Sequence, residues 1–117
     1  MTEAQLHSQR LEDRVVVSIR GEIDLENAGR VRDRIFTAIP RAARGVVLDL
    51  SQVIHMDSAG VRLLFDLAGR LGERRLDVTI VSPANSLLRE VFEVVRLESV
   101  VAVVSSVDEA LRLQPRV

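Results

Sequence analysis

The run Gly45-Val46-Val47-Leu48-Asp49-Leu50 constrains this chain more than any other stretch. It is almost continuously apolar, the pattern of a central strand covered on both faces rather than on one. Such a strand needs helices on both sides of its sheet, which points to an α/β architecture.

The flanking segments supply those elements. Residues ~4–10 and ~14–20 read as two strands joined by a turn at Leu11-Glu12-Asp13, with Val15, Val17 and Ile19 on one face. Gly21-Glu22-Ile23-Asp24 follows as a loop. Asn27 suits the N-cap of a first helix whose buried stripe is Ala28, Val31, Ile35, Ala38 and Ile39, ended by Pro40. After a connector at residues 51–57, a second helix starts at Ser58, with Val61, Leu64, Phe65, Ala68 and Leu71 inward and Gly72 at its end. Asp77 to Val81 is a strand, and Ser82-Pro83 opens a third helix as N-cap and first position. A short strand near Val101–Val104 precedes a last helix, where Ser106 and Glu109 have capping-box spacing.

This order predicts a single domain, residues 1–117, of α/β class: a mixed, mostly parallel central sheet of four to five strands with about four helices. The first strand should join antiparallel and the others through right-handed crossovers. Loops after Ile19, Leu50 and Val81 then emerge on one rim, where open α/β sheets place their sites. Glu22, Asp24, Ser51, Asp57, Ser58 and Ser82 collect there.

Composition narrows the function. Apolar residues at 47% and charged residues at 28% fit a folded domain and exclude disorder. Sixteen basic residues nearly cancel seventeen acidic ones, which argues against a nucleic-acid partner. Without cysteine there is no thiol catalysis, disulfide or cysteine metal site. No secretory signal and no apolar run near the ~20 residues of a membrane span is present, so membrane insertion is not expected and a cytoplasmic location is.

Enzyme readings find little support. There is no lysine for a Walker A loop and no G-x-G-x-x-G, so no nucleotide cofactor is expected. His7 and His55 lie in different elements and form no metal-ligand cluster. Met56-Asp57-Ser58-Ala59-Gly60 approaches a nucleophile elbow but lacks its first glycine, and only His55 could act as base. A small serine hydrolase is therefore disfavoured, and no catalytic residues or cofactors are assigned.

The informative stretch is Asp49-Leu50-Ser51-Gln52-Val53-Ile54-His55-Met56-Asp57-Ser58-Ala59-Gly60-Val61-Arg62. Ser58 can act as an N-cap. The small Ala59-Gly60 pair lowers helix propensity at the first turn but leaves the serine hydroxyl open to another protein. This run resembles the D-L-S-x-[V/L]-x-x-[M/I/L]-D-S-[S/A]-G-[L/V] signature of STAS domains, specifically bacterial anti-sigma factor antagonists. Gly21-Glu22-Ile23-Asp24 resembles the family's G-E-[L/I]-D, Ser82-Pro83-Ala84 its S-P-A, and Ser106-Val107-Asp108-Glu109-Ala110-Leu111 its closing S-x-x-E-A-L.

The resemblance implies docking rather than catalysis. Ser58 would be phosphorylated by an anti-sigma factor with serine kinase activity, the unmodified form would bind that factor and free a sigma factor, and a protein phosphatase would restore it. Glu22, Asp24, Asn27, Asp57, Ala59, Gly60 and Arg62 would form the partner surface around Ser58. A bulky residue at Gly60 is expected to obstruct docking with little loss of stability. The protein is expected to be a monomer or weak dimer. The alternative is a STAS scaffold or adaptor subunit in a signalling assembly or a lipid-transport complex. Two positions depart from the family: Arg62, where a small residue is common, and Val95-Arg96, where a Thr-Gly or Ser-Gly pair often ends the third helix.

Overall fold

The computed structural model of the chain describes residues 3–114; the first two and last three residues of the expected 1–117 domain lie outside the described residues. The elements in chain order are β1 (Ala4–Leu11), β2 (Arg14–Ile23), α1 (Ala28–Ala38), β3 (Gly45–Met56), α2 (Ser58–Glu73), β4 (Asp77–Val81), α3 (Leu87–Val94), a 3-10 turn at Leu97–Ser99, β5 (Ala102–Val104) and α4 (Val107–Leu113). The five strands form one sheet in the order β1-β2-β3-β4-β5. β1 is antiparallel to β2 and every other pairing is parallel, so the mixed α/β sheet is the one the sequence predicts.

β3 is central, and the alternation of its residues explains its apolar run. Val46, Leu48 and Leu50 join Val15, Val17 and Ile19 of β2 in a core closed by Val31 and Ile35 of α1, Leu64, Leu67 and Leu71 of α2, and Phe92 of α3. Val47 faces the other way and packs with Val16, Val81, Val104 and Ala110 of α4. Both faces are therefore buried in apolar side chains, the main force holding the sheet.

Several boundaries differ from the sequence reading, each for a local reason. β2 and β3 do not stop at Arg20 and Leu50; they run on together to Ile23 and Met56, pairing Arg20 with Gln52, Glu22 with His55 and Ile23 with Met56. Register shifts between Ser18 and Arg20 and between Gly21 and Glu22 break the period of two, so this extension has no alternating pattern. Gly21 sits at φ +110°, and a β-carbon there would meet the Glu3 carbonyl oxygen at 2.5 Å. Gly21-Glu22-Ile23 is therefore strand with a bulge, and the loop begins at Asp24.

In α2 the buried residues are Gly60, Leu63, Leu64, Leu67 and Leu71, while Val61, Phe65 and Ala68 are half-buried. The run is rich enough in apolar residues to offer two overlapping stripes, and the one nearer Leu63 and Leu67 faces the sheet. Gly72 does not end the helix. Arg75 does, at φ 62°, with Arg75 N–H donating to Gly72 O at 2.9 Å and Leu76 N–H to Leu71 O at 3.1 Å. This is a Schellman ending with an arginine where glycine is usual.

The third helix starts at Leu87, not after Ser82. Ser82 is buried and its N–H donates to Val104 O at 2.8 Å, continuing the β4–β5 pairing, while Ser86 caps α3 by accepting from Arg89 N–H at 3.1 Å. Arg96 after α3 is left-handed, at φ 59° and ψ 43°, so the ending geometry survives without the expected glycine. At α4, Ser106 caps by accepting from Glu109 N–H, and Glu109 returns to Ser105 N–H, one residue short of a reciprocal box.

Candidate functional site

The site lies at the carboxyl ends of β2 and β3, where the loop after Ile23 meets the start of α2. Asp57, rather than Ser58, is the N-cap of α2. Its Oδ1 accepts from Ala59 N–H at 2.9 Å and from Gly60 N–H at 3.1 Å, satisfying two of the amides that a helix start leaves unpaired. Its Oδ2 accepts from Leu25 N–H at 3.1 Å, and its own N–H donates to Ile23 O at 3.2 Å. One side chain thus starts the helix and holds the β2–α1 loop against it.

Desolvation pushes the Asp57 pKa upward, but the hydrogen bonds from Gly60, Leu25 and Ala59, aided by the charge of nearby His55, outweigh it. The carboxyl is held below its usual value of 3.8. Asp57 is therefore ionised at neutral pH, with its acceptor positions directed at backbone.

Because Asp57 takes the cap, Ser58 is released from it. Ser58 is exposed as the first residue of α2, and no hydrogen bond to its hydroxyl forms among the described residues. His55, paired with Glu22 across β2 and β3, is exposed and makes no hydrogen bond to Ser58, so the nucleophile–base contact of a serine hydrolase is not formed.

The β2–α1 loop is closed by its own polar residues. Asp24 Oδ1 accepts from Glu26 N–H at 2.9 Å, and Asp24 O accepts from Ala28 N–H at 2.8 Å. Asn27 stands at the N-cap of α1 but does not cap with its side chain. Its Oδ1 accepts from Asp24 N–H at 3.0 Å and its Nδ2 donates to Glu22 O at 2.8 Å. At 2% exposure Asn27 is an internal staple rather than part of a surface.

The remaining predicted residues gather here with different exposures. Glu22, Asp24, Asp57 and Ala59 are half-buried, and Arg62 is exposed one turn beyond Ser58 with no ion pair among the described residues. Gly60 is buried: a β-carbon there would strike the Met56 side chain and lie 3.0 Å from Ile23 O. The expectation that Gly60 serves open approach to the serine is thus corrected. It lets the first turn of α2 sit close against the ends of β2 and β3. Ala28 and Gly29 of α1 and Ala59 and Arg62 of α2 line a shallow groove beside Ser58.

Sequence reasoning missed two side chains. Leu25 and Ile54 are each 81% exposed, one in the loop bonded to Asp57 and the other on the β3 extension. A leucine between Asp24 and Glu26 in a loop was a readable signal, since nothing there could bury it. Ile54 gave none, because its strand was not legible.

The STAS domain family model matches residues 5–110. This chain belongs to the STAS domain family. Among curated relatives, BtrV of Bordetella bronchiseptica, whose name proposes an anti-sigma factor antagonist, is 24% identical over 106 residues, covering 91% of this STAS chain and 90% of its own. Among solved structures, an anti-sigma factor antagonist from Mycobacterium paratuberculosis superposes with a TM-score of 0.83 at 23% identity, covering 94% of this chain and 92% of that one. The Bacillus cell fate determinant SpoIIAA in its phosphorylated form superposes with a TM-score of 0.65 at 24% identity, covering 96% and 100%. These likenesses establish the STAS fold, and within it no helix of the described residues is long and apolar enough to cross a membrane.

Proposed function

We propose that this STAS domain is an anti-sigma factor antagonist whose docking is switched by phosphorylation of Ser58. The observation that carries the reading is the division of labour at the start of α2: Asp57 caps, and the adjacent Ser58 hydroxyl is exposed without a partner. Leu25 and Ile54 support it, because aliphatic side chains exposed beside a polar site provide contact area for a protein partner. The partner in this reading is an anti-sigma factor with serine kinase activity, and a protein phosphatase reverses the modification, all in the cytoplasm. The relative named as an antagonist and the likeness to a phosphorylated SpoIIAA fold support the same reading.

The switch acts on the surface and leaves the fold alone. A phosphate adds about −1.5 to −2 charges at neutral pH. The Ala59 and Gly60 amides are already bonded to Asp57, so the new group does not find free amides there. It meets the Asp57 carboxylate instead and is directed outward, while the positive end of the helix dipole and Arg62 on the next turn tolerate it locally. Docking is then opposed by bulk and like charge at the contact.

Side-by-side capture from native lysate with wild type, Ser58→Ala and Ser58→Asp tests this. An anti-sigma factor retained by the first two and lost by the third is the expected outcome. Retention by all three would favour the scaffold or adaptor reading, in which the serine does not gate assembly.

A further inference from the structure

A second surface, on α3, has the features of a docking site independent of Ser58. Leu87 and Val94 are 80% and 81% exposed, with Val91 at 39% and Val95 at 37%. At helical spacing Leu87 and Val94 lie in a stripe on the outer face, away from the buried Phe92, with Val91 and the C-cap residue Val95 turned partly toward the buried side. Leu87 and Val94 face water with little packing against the domain, which the hydrophobic effect opposes, while Val91 and Val95 are partly covered and border them.

The charges beside the stripe say what covers it. Glu90 and Glu93 are exposed and follow one flank of the stripe at helical spacing. The one basic residue of α3, Arg89, does not offset them at the surface. Its guanidinium turns inward, donating to Ser82 O and to Val103 O, and so ties α3 to the ends of β4 and β5. The outer surface of α3 is therefore apolar with an acidic edge, on a helix fixed in place.

A second copy of the chain fits poorly. Antiparallel pairing of two such helices sets each acidic flank against its own equivalent. We propose instead that α3 docks a helix of another protein, apolar along one face and lined with arginine or lysine along the edge that meets Glu90 and Glu93. The mode is helix against helix, with Leu87 and Val94 as the anchors.

The test uses the full chain and a synthetic amphipathic peptide with leucines at i, i+3, i+4 and i+7 and arginines along its flanks. A control peptide carries glutamates in place of the arginines. Titration should give saturable binding of the arginine peptide and none of the control. Val94→Asp, with an unchanged melting temperature because the site is exposed, should weaken binding about tenfold or more. Glu90→Lys with Glu93→Lys should weaken it severalfold, and Ser58→Asp should leave it unchanged. Equal binding of both peptides, or an affinity untouched by Val94→Asp, would overturn the proposal. So would loss of binding in Ser58→Asp, which would merge this surface with the Ser58 site. Sedimentation showing a dimer that Val94→Asp dissolves would assign the stripe to a second copy, and binding to phosphatidylcholine vesicles would assign it to a membrane.

Discussion

At the amino ends of the parallel strands, Gln114 and Arg14 are buried and donate inward to backbone and side-chain acceptors; at the carboxyl ends Asp57 bonds to backbone and its neighbour leaves a hydroxyl facing out. Gln114 is 4% exposed, and its Nε2 lies 3.0 Å from Val46 O, 3.0 Å from Asp77 O and 3.1 Å from Thr79 Oγ1. Arg14, also buried, donates to Leu111 O at 2.7 Å. These contacts fasten the end of α4 to the starts of β2, β3 and β4. At the opposite rim Asp57 performs a comparable fastening of loop to helix, yet its neighbour Ser58 contributes no hydrogen bond to the structure. The difference teaches where the molecule can be altered without unfolding: the amino end is committed to stability, and the rim separates stability, in Asp57, from an exposed hydroxyl, in Ser58.

The largest stability effect should therefore come from the end remote from the proposed site. Gln114→Ala removes the donor to buried acceptors of β3 and β4 and should cost about 2 to 3 kcal/mol in urea unfolding. Partner capture by the variant should be unchanged where it remains folded. A loss below about 0.5 kcal/mol would mean that water replaces the carboxamide, and the contrast between the two ends would fail.

Gly60 sharpens the comparison from the rim side, because it is structural although it lies two residues from Ser58. Gly60→Ala should cost about 1 to 3 kcal/mol through overpacking against Met56 and the Ile23 carbonyl. Gly69 is in the same helix but exposed, with nothing within 4 Å of an added β-carbon. Gly69→Ala should instead stabilise by about 0.5 to 1 kcal/mol through helix propensity alone. Thermal melts of the pair read the two effects with opposite signs.

How far the sequence could be read follows the same division. β3 from Gly45 to Leu50 was legible because burial on both faces leaves an apolar run, and the motif at Asp57-Ser58 marked the start of α2, where the candidate site lies. The β3 extension through His55 was not legible, because bulges near Arg20 and Gly21 remove the alternation that marks a strand. The start of α3 was misplaced because Ser82 and Ser86 both suit a cap, and only pairing with Val104 shows that Ser82 belongs to the sheet edge. The cap of α2 fell on Asp57 for a related reason: two adjacent capping residues cannot be ranked without seeing which one faces the amides. The helix ending at Arg75 was hidden because it is not a glycine, while the one at Arg96 was legible only through the place where the family carries its glycine. That last point is measurable. Arg96→Gly relieves a left-handed L-residue and should stabilise by about 1 kcal/mol, seen as a higher urea midpoint at unchanged slope.

Asp57 provides a check confined to acid. Its folded pKa is depressed below 3.8, so its hydrogen bonds contribute fully above that unfolded value and the contribution is lost as pH falls through the lower folded value. Asp57→Asn cannot titrate. The stability difference between wild type and Asp57→Asn should therefore be constant from pH 7 down to about pH 4 and shrink below it. A difference that stayed constant through about pH 3 would show that the Asp57 carboxyl is not the group whose hydrogen bonds are lost in acid.

The smallest stability effect should come from the residue on which the proposed function depends. Ser58→Asp adds an acid at the first position of α2, where the helix dipole favours it, but beside the Asp57 carboxylate, which opposes it. Arg62, exposed on the next turn at i+4, offsets part of that repulsion. With no hydrogen bond of the native hydroxyl to lose, the net change should stay within about 0.5 kcal/mol. Capture of the anti-sigma partner should nonetheless be abolished, because the charge is presented on the outer surface and not to the core. Ser58→Asp with Arg62→Ala extends the test: removing the compensating charge should lower the melting temperature slightly and leave capture abolished. If Ser58→Asp destabilised the domain as far as Gln114→Ala is expected to, the hydroxyl would be structural and the separation of roles at the rim would be lost. If it stayed folded and still captured the partner, the rim would remain a docking surface without a switch.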